Sequence, residues 1–121
     1  MKNPGEFVLA LLNASTVAHV IHLQATGPGS YARHIALADF YGAIVGLADR
    51  LAETHQGLMG QLIEFKGASY KLEKDPLKML DGLKAAAMTA RAECESPVIQ
   101  QIIDDVVELI ASTSYKIKHL A

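Results

Sequence analysis

Four side chains in the first half of the chain have the types and spacing of a metal site. His22 and His34 lie twelve residues apart, and Asp49 and Glu53 follow at i and i+4. Imidazole nitrogen together with carboxylate oxygen is a ligand mixture that suits iron, manganese or zinc. Carboxylates at i and i+4 share one helical face. The pattern therefore predicts a metal centre built from these four residues.

A single subunit is not expected to gather all four ligands around one ion. His34 and Asp49 are predicted to lie on the same helix, about 22 Å apart at the standard rise per residue. Metal–ligand bonds are only about 2 Å long. A partner copy related by a two-fold axis would instead bring the histidines of one chain against the carboxylates of the other. We therefore expect a homodimer at least, with two equivalent sites.

Composition limits the class of protein. The 121 residues are 50% hydrophobic and carry a formal net charge of -2, which indicates a single domain over residues 1–121 with its own core. The sequence contains no cluster of lysine and arginine, so nucleic acid is not an expected partner. Cys94 is the only cysteine and cannot form an intrachain disulfide, which favours a reducing cytoplasm.

The apolar residues also bear on membranes and targeting. The start Met-Lys-Asn-Pro-Gly-Glu lacks the basic-then-apolar organisation of a signal peptide. No uninterrupted apolar run approaches the roughly 18 residues that a membrane span requires. We therefore expect a soluble, cytoplasmic protein without a membrane partner.

The first two predicted helices form a hairpin. Helix one is expected to begin with Asn3 as its cap and to run to about Ala25. A tight reversal at Gly27-Pro28-Gly29 follows. His22 falls at helical spacing with apolar positions, so it is expected to face inward. The hairpin then sets His22 near His34.

Helix two is predicted from Tyr31 to about His55, with Ser30 as its cap and Gly57 as its end. It has too many apolar positions for a helix with one wet side, so we expect burial on two faces. Small residues recur every four positions and would allow close approach of the two-fold mate, although each glycine costs about 1 kcal/mol relative to alanine. These small residues are Ala38, Gly42 and Gly46.

The second half of the chain predicts another hairpin. Asp75-Pro76 and Ser96-Pro97 are each a cap followed by a first-turn proline. They open a helix that runs to about Glu93 and another that runs to near His119. The irregular connection over residues 57–74 has room for a short helix. The fold class is therefore all-α, a ferritin-like four-helix bundle of two helical hairpins with a longer link between helices two and three.

The segment from His22 to Glu53 resembles the Dps-like miniferritins, and the resemblance is best over residues 19–55. In that family a first-helix histidine leads into a glycine-containing turn, a second histidine opens helix two, and an Asp-x-x-x-Glu pair lies further along. The matching residues are His22-Leu23-Gln24-Ala25-Thr26-Gly27-Pro28, then His34, then Asp49-Arg50-Leu51-Ala52-Glu53.

The resemblance implies an intersubunit ferroxidase centre, with His22 and His34 from one chain and Asp49 and Glu53 from its mate. Such proteins oxidise Fe(II) with hydrogen peroxide or oxygen and store ferric mineral inside a twelve-subunit cage. Iron is the implied metal, with zinc or manganese as alternatives.

The chain also departs from that family. Ala38 stands where members carry a further acidic ligand, and the adjacent Asp39 points about 100° away around the helix. This loss predicts one well-bound ion and a weakly bound second ion. Leu23 stands where the family commonly has tryptophan.

Other readings remain open at this point. The same bundle would serve as a non-catalytic oligomerisation or interaction module with a degenerate site that binds zinc or nothing, a reading that Ala38 favours. A DNA-protecting nucleoid protein would need a basic tail or stripe. His19 is an alternative ligand, His55 is expected as a cation at a helix end, and Cys94 is expected to pack in the interior.

Overall fold

The computed structural model describes residues 3–120 and contains four α-helices with no strand in that range. The helices are α1 (Gly5–Leu23), α2 (Ser30–Met59), α3 (Pro76–Glu93) and α4 (Pro97–His119). α1 packs against α2 and α3, and α4 packs against the same two helices, which places α1 diagonally opposite α4. The predicted all-α four-helix bundle is confirmed.

The connection between α2 and α3, residues 61–75, runs along the length of α1, and we call it the crossover link. Near its start, the Asn3 amide donates to the backbone carbonyl of Glu64 at a distance of 3.0 Å. Near its end, residues 72–74 line a cleft together with Gln24, which follows α1. α3 therefore starts beside the end of α1 and runs antiparallel to it. A single long crossover is the connectivity of ferritin-like bundles.

One hydrophobic core contains residues from all four helices. α2 contributes a narrow stripe at the i, i+3 and i+4 spacing that one helical face requires. Its fully buried large side chains are Leu37, Phe40, Ile44 and Leu51. The opposite face of α2 is exposed to solvent in the single subunit. Burial of this second face, as predicted, would therefore need another molecule.

The caps of the second hairpin form as predicted. The Asp75 carboxylate accepts a hydrogen bond from the backbone N–H of Leu77 at 2.9 Å. The Ser96 hydroxyl accepts one from the N–H of Ile99 at 3.4 Å. Each cap satisfies a donor that the first helical turn leaves without an intrahelical partner. α3 and α4 therefore begin where the sequence places them.

The caps of the first hairpin differ from the prediction. α1 begins at Gly5 with Pro4 as its N-cap, and Asn3 instead accepts the Gly5 N–H at 3.0 Å from one residue further out. α1 ends at Leu23 rather than Ala25. Ser30 is the first residue of α2, whose N-cap is Gly29 with φ of 74°. A glycine at positive φ makes the sharp entry into α2 without help from the serine side chain.

The end of α2 was also predicted wrongly. Gly57 lies inside the helix, which continues to Met59 and closes at Gly60 with φ of 68°. A helix commonly ends with a residue in the left-handed αL conformation just past its last turn, and Gly60 has that conformation. The crossover link contains no helix, so the short helix considered for residues 57–74 is absent.

α1 is long and apolar enough to cross a membrane by length and composition alone. In the bundle it is a core helix, since Leu11 and Ala18 are completely buried. Core helices of soluble proteins can be equally long and apolar, so these two properties alone do not indicate a membrane span.

Candidate metal centre

His22 and His34 face each other across the first hairpin, as predicted. Their ring centres are 3.6 Å apart, and the ring planes meet at 19°. Nδ1 of His22 lies 2.8 Å from the backbone carbonyl oxygen of His34, and Nδ1 of His34 lies 3.0 Å from that of His22. A carbonyl oxygen can only accept, so each Nδ1 carries the proton and donates. In the neutral rings, the lone pair is therefore on Nε2, the atom that would bind a metal.

A second pair of rings supports the histidines. Tyr41 stacks on His19 with ring centres 4.1 Å apart, and it makes an edge contact with the ring of His22, with ring centres 5.4 Å apart. The Ser15 hydroxyl donates to the backbone carbonyl of Tyr41 at 2.9 Å and joins α1 to α2 at the same level. These contacts limit how far the His22 ring can move.

The stacked arrangement limits what the two histidines can bind as they stand. An imidazole lone pair lies in the plane of its ring, and these two planes are nearly parallel. Two such lone pairs do not converge on one ion at a bond length of about 2 Å. Either one ring turns out of the stack to share an ion, or each ring supplies one ligand.

The carboxylates lie elsewhere on α2. Asp49 and Glu53 are exposed on the face opposite the core. α2 is continuous from His34 to Asp49, so the separation of about 22 Å expected along the helix axis holds within one chain. Among residues 3–120, no three histidine, cysteine, aspartate or glutamate side chains come together as a metal site. The structure brings His22 and His34 together, and within one chain it leaves Asp49 and Glu53 far from both histidines.

The carboxylates belong to a wider uncovered surface, which we call the open face of α2. Tyr31 is 76% exposed and Ile35 is 41% exposed there. A Cβ atom added at Gly42 or Gly46 would have no neighbour within 4 Å. Helical spacing places Asp39 and Val45 at the edges of this face, and the residues along its middle are Tyr31, Ile35, Ala38, Gly42, Gly46, Asp49 and Glu53. The face thus combines small residues, apolar side chains and two carboxylates.

Three further residues for which the sequence predicts a role are His19, His55 and Cys94. The ring centres of His19 and His22 are 5.9 Å apart, so His19 is close to the histidine pair. Its ring stacks on Tyr41. His55 was predicted as a cation at the end of α2, but it is 8% exposed and lies inside the longer helix. Cys94 is buried, which agrees with a packing role.

From the sequence, Tyr41 is a candidate for packing, for an interface or for a place near the metal, whereas its stack on His19 is not predicted. The signal was present, because Tyr41 follows His34 by seven residues and His19 precedes His22 by three. Each interval places its two residues on the same face of their helix, and the two faces meet in the hairpin.

Comparison with protein families gives a match over residues 22–117 to a model described as a family of unknown function, DUF5856. The matched region includes His22, His34, Asp49 and Glu53. Comparison with curated proteins gives no match, and neither does comparison with solved structures. Because the family match covers most of the chain, the protein belongs to the family of unknown function DUF5856.

Proposed function

We propose that this protein is a cytoplasmic, Dps-like iron-binding protein that oxidises Fe(II) between two copies of the chain. The observation that carries the proposal is the orientation of His22 and His34. Backbone carbonyls hold the proton on each Nδ1 and leave each Nε2 lone pair available. A hydrogen bond to the second ring nitrogen is the usual support of a metal-binding histidine.

The remaining ligands would come from the partner. In an antiparallel pair of α2 helices, residues equally distant from the two-fold axis face each other. Gly42 lies about midway between His34 and the Asp49–Glu53 pair, so an axis near Gly42 brings the histidines of one chain to the carboxylates of the other. The open space at Gly42 and Gly46 permits the close approach that this pairing requires.

Iron is the substrate of the proposed reaction. One hydrogen peroxide takes one electron from each of two Fe(II) ions and, with two protons from solvent, becomes two waters. The imidazoles suit Fe(II), whereas the carboxylates favour the harder Fe(III), so the mixed set supports the oxidised product. In the observed arrangement each histidine supplies one ligand through Nε2, which keeps both hydrogen bonds from Nδ1 to the backbone carbonyls. Ala38 supplies no further carboxylate, so the proposal has one tight and one weak iron position per site.

Storage of the ferric product is part of the proposal. Storage requires an assembly larger than the dimer, and the largest assembly proposed is the twelve-subunit cage of the miniferritins. Zinc or manganese would bind the same donors without the same oxidation chemistry.

The test is an anaerobic Fe(II) titration followed by addition of hydrogen peroxide, with Asp49→Ala compared with Asp81→Ala. Both substitutions remove one exposed aspartate from a helix, but Asp81 lies on α3, away from the open face of α2. We expect saturable binding and fast oxidation in the wild type and in Asp81→Ala, with loss of both in Asp49→Ala. Equal behaviour of the two variants, or oxidation no faster than in buffer, would contradict the proposal.

A second function is favoured by the same histidine pair. The reciprocal hydrogen bonds and the ring stack complete the hairpin without a metal, which suits a non-catalytic interaction module whose site is degenerate or binds zinc. Ring resonances in NMR spectra distinguish a metal-binding pair from a pair that binds no metal, and the Fe(II) oxidation assay separates a zinc-binding module from a ferroxidase. Fe(II) or Zn²⁺ should perturb the His22 and His34 signals if they bind metal, whereas the module without a site predicts unchanged signals at saturating metal.

A further inference from the structure

A cleft lies where the crossover link reaches the end of α1, away from the open face of α2. Its walls come from the last turn of α1, the α1–α2 turn, the start of α2 and the end of the link. Two cationic side chains line it, Arg33 from α2 and Lys74 from the link. None of the four proposed iron ligands lines this cleft.

The charges in the cleft are not balanced. Arg33 is half-buried and Lys74 is exposed, and neither side chain forms a hydrogen bond or an ion pair with another residue in the range 3–120. The only acidic residue lining the cleft is Glu73, at least within that range. Its Oε1 accepts the backbone N–H groups of Lys74 and Asp75 at 3.0 and 3.1 Å. Two cations against one carboxylate leave a positive charge in the cleft.

The remaining lining of the cleft combines apolar and uncharged polar side chains. Ile21 is buried and forms part of the lining from α1. Leu72 lines it from the link and is 54% exposed, so its side chain offers apolar contact area. Thr26 also lines the cleft and carries a hydroxyl group. A site with an apolar surface and a few polar groups is the usual design for a small organic ligand.

We propose that this cleft binds a small organic anion, in which a carboxylate or phosphate group is attached to a compact apolar body. The guanidinium of Arg33 presents paired N–H donors that match two oxygens of such a group. Lys74 adds a second positive charge, and Ile21 and Leu72 contact the apolar body. A half-buried guanidinium without a partner carries a desolvation cost that an anion would offset.

The test uses isothermal titration of the full chain with phenyl phosphate and with benzoate. Benzyl alcohol serves as the uncharged probe, and inorganic phosphate serves as the anion without an apolar body. Arg33→Gln and Lys74→Gln each remove one positive charge from the cleft. Lys84→Gln removes the same charge from α3, outside the cleft, and is the matched control. Thermal unfolding by circular dichroism shows whether each variant folds.

We expect saturable binding of at least one aromatic anion, with weaker binding of benzyl alcohol and of inorganic phosphate. The tighter of the two aromatic anions identifies phosphate or carboxylate as the recognised group. Arg33→Gln should weaken binding about tenfold or more, because it loses a charge-assisted pair of hydrogen bonds. Lys74→Gln should weaken it severalfold, and Lys84→Gln should leave it unchanged.

Several results would overturn the proposal. These are the absence of saturable binding by both aromatic anions, equal affinity for benzyl alcohol, and wild-type affinity in a folded Arg33→Gln protein. Equal losses of affinity in Lys74→Gln and Lys84→Gln would show that binding depends on the net charge of the protein rather than on the cleft, and would overturn the proposal as well. If Arg33→Gln does not fold, the comparison of Lys74→Gln with Lys84→Gln decides the question.

Discussion

The two hairpins of the bundle are closed by different means. The α1–α2 hairpin is closed by rings, with His22 on His34 and His19 on Tyr41, and by reciprocal bonds from ring nitrogen to carbonyl. The α3–α4 hairpin is closed by side-chain caps, aliphatic packing and a surface ion pair.

The difference shows where chemistry can be located. The cap oxygens of Asp75 and Ser96 already accept backbone N–H groups, whereas a hairpin closed by histidines presents ligand atoms as part of its own fold. In the first hairpin, the two histidines proposed as iron ligands are therefore also groups that join the helices.

The largest effect is expected in the second hairpin. Ile103 is completely buried in the core, so Ile103→Ala should lower the free energy of unfolding by about 2–5 kcal/mol through lost burial and a cavity. Urea unfolding measures the change. Ile103→Val removes one methylene and should cost about 0.5–1.5 kcal/mol. Equal losses in the two variants would show that packing does not dominate this hairpin.

The next effect concerns the open face of the first hairpin. Gly42→Arg places a long charged side chain where two α2 helices are proposed to meet, and should weaken dimerisation by about 3 kcal/mol, roughly a hundredfold in Kd. Analytical ultracentrifugation measures the association.

The matched control is Gly82→Arg on α3. A Cβ atom at Gly82, as at Gly42, meets nothing within 4 Å, so both variants should fold. Dimerisation that survives Gly42→Arg, or that is lost equally in both variants, would place the interface elsewhere.

A smaller effect separates the caps of the two hairpins. Ser96→Ala should lower the free energy of unfolding by about 1 kcal/mol, because it removes the acceptor of the Ile99 N–H. Ser30→Ala should change it by less than about 0.5 kcal/mol, since Gly29 is the N-cap of α2. Thermal unfolding of both variants provides the measurement, and equal losses would contradict the assigned caps.

The smallest effect is the pH dependence of the second hairpin. The hydrogen bond from Arg91 to Asp104, at 2.6 Å, lowers the pKa of the Asp104 carboxyl. A folded-state pKa below the unfolded value stabilises the fold above the unfolded pKa, and this stabilisation is lost as pH falls through the lowered folded pKa. Both side chains are over 40% exposed, so solvent screens the pair.

Thermal unfolding midpoints of the wild type and Asp104→Asn should therefore differ slightly at pH 7 and converge as the pH falls through the lowered pKa of Asp104. A difference between the two proteins that is constant with pH would show that ionisation of Asp104 does not contribute.

The second hairpin was predictable because its signals are local. Asp75-Pro76 and Ser96-Pro97 cap their helices within three residues, so no distant part of the chain decides the outcome. The crossover topology followed from the longer link between α2 and α3.

The first hairpin was predictable only in part. The spacing of His22 and His34 across a tight turn correctly placed them together. The end of α2 was missed because a glycine inside a helix and a glycine that ends one differ in φ, which tertiary packing determines for Gly57 and Gly60. The stacking of the rings depends on side-chain torsions, which cannot be read from spacing alone.

The central claim is that each iron site takes histidines from one chain and carboxylates from its partner. Its most direct test is Fe(II) binding by His34→Ala and Asp49→Ala proteins, separately and after the two are unfolded together and refolded as an equal mixture. Each variant alone should lack tight binding. In the mixture, half of the dimers contain both variants and each of these has one intact site, so about a quarter of wild-type capacity should return. No recovery in the mixture, or wild-type binding by either variant alone, would contradict the claim.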